Sequence, residues 1–196
     1  MTNINQSTGY LCREYLNGIT QNKLLSIFDY KDGILYWKIN RGTKIKAGSV
    51  AGGIGGTLIE RRWQIKIDGK TYQRARLIFL LHKGYLPFIV DHKDRKTLND
   101  AIGNLRAATR LQNNYNRNSN RNSTSKYVGV SLYKNNKWVC WTAQINIEGK
   151  NKRLGYFKTE DEAALAYNKY AEIHRKEFAN LNIINNADSQ SNKICS

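Results

Sequence analysis

The chain predicts an α+β protein in two parts. The first holds small hairpins and ends in a strand–loop–strand–helix, and the second is a three-stranded antiparallel sheet packed on one helix. Three observations predict this. Runs with strand character are short and punctuated by Gly and Asp-Gly, so they fold as hairpins rather than as one long sheet. Helical stretches are few, and the clearest of them open on caps that can be read directly. Between the two parts lies Asn116-Arg-Asn-Ser-Asn-Arg-Asn-Ser-Thr-Ser125, polar, unpatterned and without apolar anchors.

In chain order the expected divisions are an N-terminal segment 1–22, a first domain 23–115, a linker 116–125, a second domain 126–182 and a tail 183–196. Gly33-Ile-Leu-Tyr-Trp-Lys38 reads as a strand, and Trp63 to Tyr72 as a hairpin turning at Asp68-Gly69. The glycine cluster from Gly48 to Gly56 has neither the GK[ST] ending of a phosphate loop nor GxGxxG spacing, so a turn between strands is expected. Arg74 to Lys83 reads as a short helix stopped by Gly84 and Pro87, with His82 a packing or phosphate contact. The apolar Phe88-Ile-Val90 runs into Asp91-His92, and Asn104 opens a second extended segment, Leu105 to Ala108. Thr109 then caps a helix with Gln112 as its box partner, which sets Asn113 one turn inside. Strand, loop, strand and helix bring Asp91, His92, Asn104 and Asn113 toward one point.

The second domain reads as strands at Tyr127–Val130, Lys137–Asn146 and Lys152–Phe157, then a helix capped by Thr159 and Glu162 with acids in its first turn. Ala163, Ala166, Tyr167, Tyr170 and His174 form the expected inward stripe, small enough for the helix to lie close on the sheet. Alternation turns Trp141, Ala143 and Ile145 inward and leaves Thr142, Gln144 and Asn146 on the outer face.

The four polar residues of the first domain suit phosphodiester hydrolysis. An imidazole titrating near neutrality can activate water, and a divalent cation can take charge from the leaving oxygen. Asp91 and Asn113 offer hard oxygen donors that suit magnesium, manganese or calcium better than zinc. His92 would act as the base, with Asn104 accepting a hydrogen bond from its ring.

These residues stand in three blocks, Val90-Asp-His-Lys-Asp94, Asn104-Leu-Arg106 and Gln112-Asn-Asn114, which resemble the HNH homing endonucleases of phage introns and mobile genes, whose core is the ββα-metal motif. The resemblance continues upstream through Leu25–Tyr30, Gly33–Trp37, Ala47–Gly52 and Arg76–Gly84, and departs at Ala75, where relatives often have histidine. It implies one Mg²⁺ or Mn²⁺ on Asp91 and Asn113, His92 as general base, Asn104 as its orienter, and no zinc. Asn113 stands where the last histidine of the motif name falls, a variant this branch also uses. The second domain resembles the ethylene-response-factor (Apetala-type) DNA-binding domain through Tyr127-x-Gly-Val130, Trp141-x-Ala-x-Ile145, Leu154-Gly-x-Phe157, Thr159-x-Glu-x-x-Ala164, Ala166-Tyr167 and Ala179-x-Leu-Asn182. It implies that the exposed sheet face enters the DNA major groove. Arg153 stands where plant members carry tryptophan, and Ser131 and Tyr133 where they carry arginine, so base preference does not transfer. Expected DNA contacts are Arg106, Arg110, Arg117, Ser131, Tyr133, Lys137, Thr142, Gln144, Asn146, Lys152 and Arg153.

Charge agrees with a polyanionic partner. The formal net charge is +17 over 196 residues, with ten of the surplus in 1–98 and seven in 99–196. No apolar run is long enough to cross a bilayer, and Met1 to Ser7 lack the apolar core of a signal peptide. Cys12, Cys140 and Cys195 are odd in number and far apart, implying neither a disulfide framework nor a zinc site. The expectation is a cytoplasmic, monomeric, site-specific endonuclease acting on double-stranded DNA. A DNA-binding regulator on an inactive nuclease fold and an RNA-binding protein are the alternatives.

Overall fold

The computed structural model describes residues 3–4, 11–13, 15–16, 18–57, 60–117, 123–135 and 138–184. Half of the predicted linker (118–122), Lys137 and the tail from 185 onward lie outside the described residues. The chain forms two compact units, 1–113 and 114–196. It is a mixed α+β protein of small antiparallel sheets with few helices.

The first unit opens with four short strands, β1 (Asn3–Ile4), β2 (Leu11–Arg13), β3 (Tyr15–Leu16) and β4 (Ile19–Thr20). Helix α1 (Gln21–Ile27) follows, with Thr20 capping Lys23 N–H. Then come the hairpin β5 (Phe28–Lys31) and β6 (Ile34–Trp37), and the sheet of β7 (Gly53–Gly56), β8 (Arg61–Ile67) and β9 (Lys70–Gln73). The glycine cluster therefore supplies an edge strand, β7, as well as a turn. Helix α2 (Arg74–Lys83) buries Leu77, Ile78, Phe79, Leu80 and Leu81 in succession, the pattern of a helix surrounded by its domain. Leu24, Phe28, Leu35, Trp37, Ile65 and Ile67 pack with it in one core that extends to Leu105. His82 is a packing residue, its Nδ1 3.1 Å from Ile78 O and its ring edge-on to Tyr30.

Strand β10 (Leu86–Pro87) pairs with β2, and β11 (Ile89–His92) leads into the loop 93–101. A single 3₁₀ turn, η1 (Ile102–Asn104), and β12 (Leu105–Ala108) follow. β11 and β12 are antiparallel, with Asp91 opposite Arg106 and His92 opposite Leu105. Thr109 and Gln112 close the expected capping box at 2.9 and 3.1 Å, and α3 (Arg110–Tyr115) starts there. The ββα order is thus encoded locally, because both caps and both strands are short-range features.

In the second unit β13 (Val130–Lys134), β14 (Val139–Ile147) and β15 (Lys150–Phe157) form one antiparallel sheet, with α4 (Glu160–Arg175) against it and a 3₁₀ turn, η2 (Lys176–Phe178), behind. The Thr159–Glu162 capping box forms. The buried residues of α4 are Ala163, Ala164, Tyr167, Ala171 and Arg175, one face at three- and four-residue spacing. Ala166 and Tyr170 flank it and His174 is exposed, a correction to the predicted stripe. A bulge interrupts β15: Ala143 pairs with Gly155 but Gln144 pairs with Arg153, leaving Leu154 as the extra residue, turned into the core.

Candidate active site

Asp91 and His92 end β11, and both are buried, at 7% and 5% exposure. Adjacent strand residues point to opposite faces, so the two side chains meet different partners. Asp91 Oδ2 accepts from both Nε and Nη2 of Arg106, each at 2.8 Å, from the directly opposed position on β12. Opposite charges at paired positions make this the natural cross-strand contact. Arg106 was expected to meet DNA. Its guanidinium binds the proposed metal ligand instead.

His92 Nε2 lies 2.8 Å from Asp100 Oδ1, and the other oxygen of Asp100 accepts from Arg74 Nε at 2.8 Å. Arg74, itself only 2% exposed, also lies over the Trp63 ring at 4.2 Å. The three form a buried chain, guanidinium–carboxylate–imidazole. A carboxylate already paired with a guanidinium acts as an acceptor, so it holds the imidazole proton on Nε2 and makes Nδ1 the basic nitrogen. Sequence reasoning missed both Asp100 and Arg74. Asp100 was visible as an acid in the loop eight residues after His92. Arg74 carries no local signal, since its pairing spans 26 residues of chain.

Asn104 was predicted to orient the imidazole, and here the structure corrects the sequence. Its amide donates to Asp94 Oδ1 and Asn99 O, both at 2.8 Å, and accepts from Asp94 N–H at 3.0 Å. Asp94 in turn accepts from Lys96 N–H and from Asn99 Nδ2. Burial works to raise the Asp94 carboxyl, but these hydrogen bonds, with the charge of His92, bring it below its ordinary value. Asn104 therefore builds the loop that delivers Asp100. Gly33, at φ +83°, supports the same loop from the β5–β6 turn. A Cβ there would lie 2.6 Å from Ala101 N, so only glycine permits the approach. Tyr30 Oη accepts from Ile102 N–H beside it.

Asn113 sits in α3, half-buried, its N–H donating to Thr109 O. Asp91 offers a carboxylate oxygen and Asn113 a carboxamide oxygen, donor types that would suit a hard cation that keeps several waters. Among the described residues no group of three or more His, Cys, Asp or Glu stands together as a metal cage.

In the second unit Gln144, Arg153, Ser131 and Tyr133 lie on the outer sheet face. There Tyr133, Trp138 and Tyr156 form an aromatic cluster with centroids 5.2 to 5.6 Å apart, and Arg153 Nη1 donates to Tyr156 Oη at 2.6 Å. Trp138 and Tyr156 were not anticipated. Two expected contacts are corrected. Lys152, opposite Ile145, faces α4 with its ammonium 5.0 Å over Tyr170, because the bulge at Leu154 shifts the alternation. Thr142 is 7% exposed and its hydroxyl donates to Gly155 O. Asn146 binds Asn151 Oδ1 through its amide at 2.9 Å, bridging the end of the β14–β15 hairpin. Arg110 and Arg117 are exposed, and Lys137 lies outside the described residues.

The fold and site define a ββα nuclease motif, and the comparisons agree. A profile of the HNH endonuclease family matches residues 72–115, from β9 to the end of α3. Over 120 residues, 60% of this chain and 60% of the relative, the sequence is 32% identical to a protein named as an uncharacterized HNH endonuclease of Acanthamoeba polyphaga mimivirus. Over 92 residues, 47% of this chain and 72% of the relative, it is 32% identical to Protein 3.8 of Escherichia phage T7. No solved structure matches the chain. Residues 72–115 therefore form an HNH endonuclease domain. The chain's match spans 60% of the mimivirus protein's length.

Proposed function

We propose that this protein is a divalent-metal-dependent, site-specific DNA endonuclease of the homing type, acting on double-stranded DNA as a monomer. The observation that carries the reading is the buried His92–Asp100–Arg74 chain at the end of the ββα motif. With its Nε2 proton held by Asp100, His92 takes a proton from water at Nδ1. The water oxygen bonds to phosphorus as an ester P–O bond breaks, and the departing oxygen takes up a proton from solvent. Asp91 and Asn113 would hold a Mg²⁺ or Mn²⁺ ion, which when bound offsets charge on the phosphate and leaving oxygen. Arg106 orients Asp91, and the Asn104–Asp94 lattice keeps the loop in place.

Sequence reading is assigned to the outer face of the second unit, as in Apetala-type domains, with Gln144 and Arg153 toward base edges and the aromatic cluster against the backbone. The test is supercoiled plasmid incubated with the full chain in magnesium, manganese or excess chelator. Nicking or linearisation that needs the metal is the expected result, with discrete products on DNA that contains the target. Binding without cleavage would favour a regulator, and preference for single-stranded RNA would exclude the DNA reading.

A further inference from the structure

Arg74 and Arg106, which hold the site of the first unit, each meet a carboxylate at 2.8 Å. The second unit buries an arginine that does not. Arg175, the last residue of α4, is 9% exposed, and among the described residues no carboxylate pairs with it. Its Nη1 donates to Tyr167 Oη at 2.6 Å and its Nη2 to Asn146 O at 3.1 Å. Its Nε is buried with no hydrogen-bond partner. The guanidinium lies 4.4 Å over the Tyr115 ring, whose hydroxyl is held at 3.1 Å by Glu148 N–H. Rings and neutral oxygens satisfy part of a guanidinium, but they supply no full negative charge, and burying an unpaired charge is costly.

Arg175 lines a pocket of about 230 Å³ within the second unit. That volume has room for a small oxyanion and falls below the ~300–1,000 Å³ of pockets that take larger organic ligands. Its walls offer donors. Tyr167, which also lines it, accepts from Arg175 and keeps its own proton to give. Burial holds this phenol above its ordinary pKa against the pull of Arg175, so the O–H persists. Asn151 spends its oxygen on the Asn146 amide, which leaves its NH₂ to donate. Arg117 adds a second cation from an exposed position, and no Asp or Glu is among the lining residues. Gln144, exposed on the outer sheet face, lines the pocket too, so it adjoins the face assigned to DNA. We propose that this pocket binds a phosphate group, with Arg175 and Tyr167 as inner donors and Arg117 as the cation at its mouth. A phosphate oxygen gives the Arg175 Nε–H its missing acceptor, and a second oxygen takes the spare N–H of an Nη, the forked contact that guanidinium makes best. The phosphate belongs either to the backbone of DNA lying across the outer sheet face or to a free phosphate ion. The first source rests on the DNA reading above, and the site itself does not.

Two measurements test this on the full-length protein. In the first, nitrogen-15-labelled protein is titrated with sodium phosphate, with duplex DNA, and with sodium chloride at matched ionic strength. The Arg175 Nε–H resonance should shift saturably with phosphate and not with chloride. If duplex shifts it as well and free phosphate competes, the source is the DNA backbone; if only free phosphate shifts it, the source is the ion. A resonance that neither phosphate nor duplex moves beyond the chloride control overturns the proposal. The second measurement uses Arg175→Met, which keeps an apolar stem against Tyr115 and removes the charge. With a DNA phosphate in the pocket, the slope of log affinity against log salt should become shallower by about 0.9, the share of one phosphate, and affinity should fall about equally on all sequences. A merely structural Arg175 would lower the folded fraction and leave that slope unchanged. A shift with duplex alone, joined to an unchanged slope in Arg175→Met, also overturns the proposal. If Arg175→Met does not fold, the titration of the parent protein still decides. A parent protein that binds no DNA refutes the DNA reading, and the phosphate titration still decides the pocket.

Discussion

Replacing Asp100 with asparagine keeps the shape of the side chain and reverses what it offers His92. The carboxylate now accepts from Arg74 Nε and faces His92 Nε2, each at 2.8 Å. Arg74 can only donate, so the amide of Asn must turn its oxygen toward the guanidinium and its NH₂ toward the imidazole. That NH₂ requires a lone pair on Nε2, which moves the ring proton to Nδ1, the nitrogen that accepts from water in the proposed mechanism. Loss of general-base catalysis costs ~10²–10⁴-fold in rate, and Asp100→Asn should approach the upper half of that range. Stability should fall as well. Arg74 is 2% exposed and its Nη1 has no hydrogen-bond partner among the described residues, so it relies on this carboxylate. Removing one member of a buried pair outright costs ~3–5 kcal/mol, and asparagine, still an acceptor, should lose roughly half. The assay is single-turnover nicking normalised to folded protein, with nitrogen-15 NMR of the imidazole to read the tautomer. Parental rate with the tautomer switched would refute the role given to Nδ1. Parental rate with no switch would refute the hydrogen-bond logic itself.

The other predictions concern the scaffold. Gly129→Ala should destabilise the second unit by at least ~2 kcal/mol in urea unfolding, because φ is +74° and a Cβ would lie 2.3 Å from the Tyr167 ring. Thr159→Ala removes the cap on Glu162 N–H and should cost ~1 kcal/mol by the same measurement, with the fold retained. The lowered Asp94 carboxyl stabilises its loop above its unfolded value of 3.8, and this contribution is lost as pH falls through the lower folded value. Amide exchange at Lys96 and Asp94 should therefore stay slow at pH 5 and quicken only below about pH 4; quickening already at pH 5 would contradict the sign.

What could be read from the sequence was what the chain encodes within a few residues. The Thr109–Gln112 and Thr159–Glu162 boxes, the Asp68-Gly69 hairpin and the β11–β12 pair depend on local spacing, and each forms where expected. The partners of the site residues were harder. Asn104 and Asp100 are both polar loop residues within reach of His92. Choosing between them required knowing that Asp94 already consumes the Asn104 amide. Arg106 reads as a basic residue available to DNA until the register sets it opposite Asp91. Lys152 went to the wrong face for a single reason, an extra residue in β15 that strand alternation alone cannot reveal.

On the proposed role of the outer sheet face in reading DNA, that extra residue bears on how such a domain could acquire a new target. In an unbulged β15, Leu154 would stand outward against Gln144 and Arg153 would turn toward α4, as side chains alternate along a strand. With Leu154 tucked into the core, Arg153 shares the outer face with Tyr156 and bonds to it. The inward residues beyond the bulge, Gly155 and Phe157, keep their places opposite Ala143 and Trp141. One inserted or deleted residue at this point would therefore exchange the outward side chains of one strand end while leaving the other end in register. A lineage under pressure to recognise a different sequence could change its lettering by sliding part of one strand, without first redesigning the support beneath it.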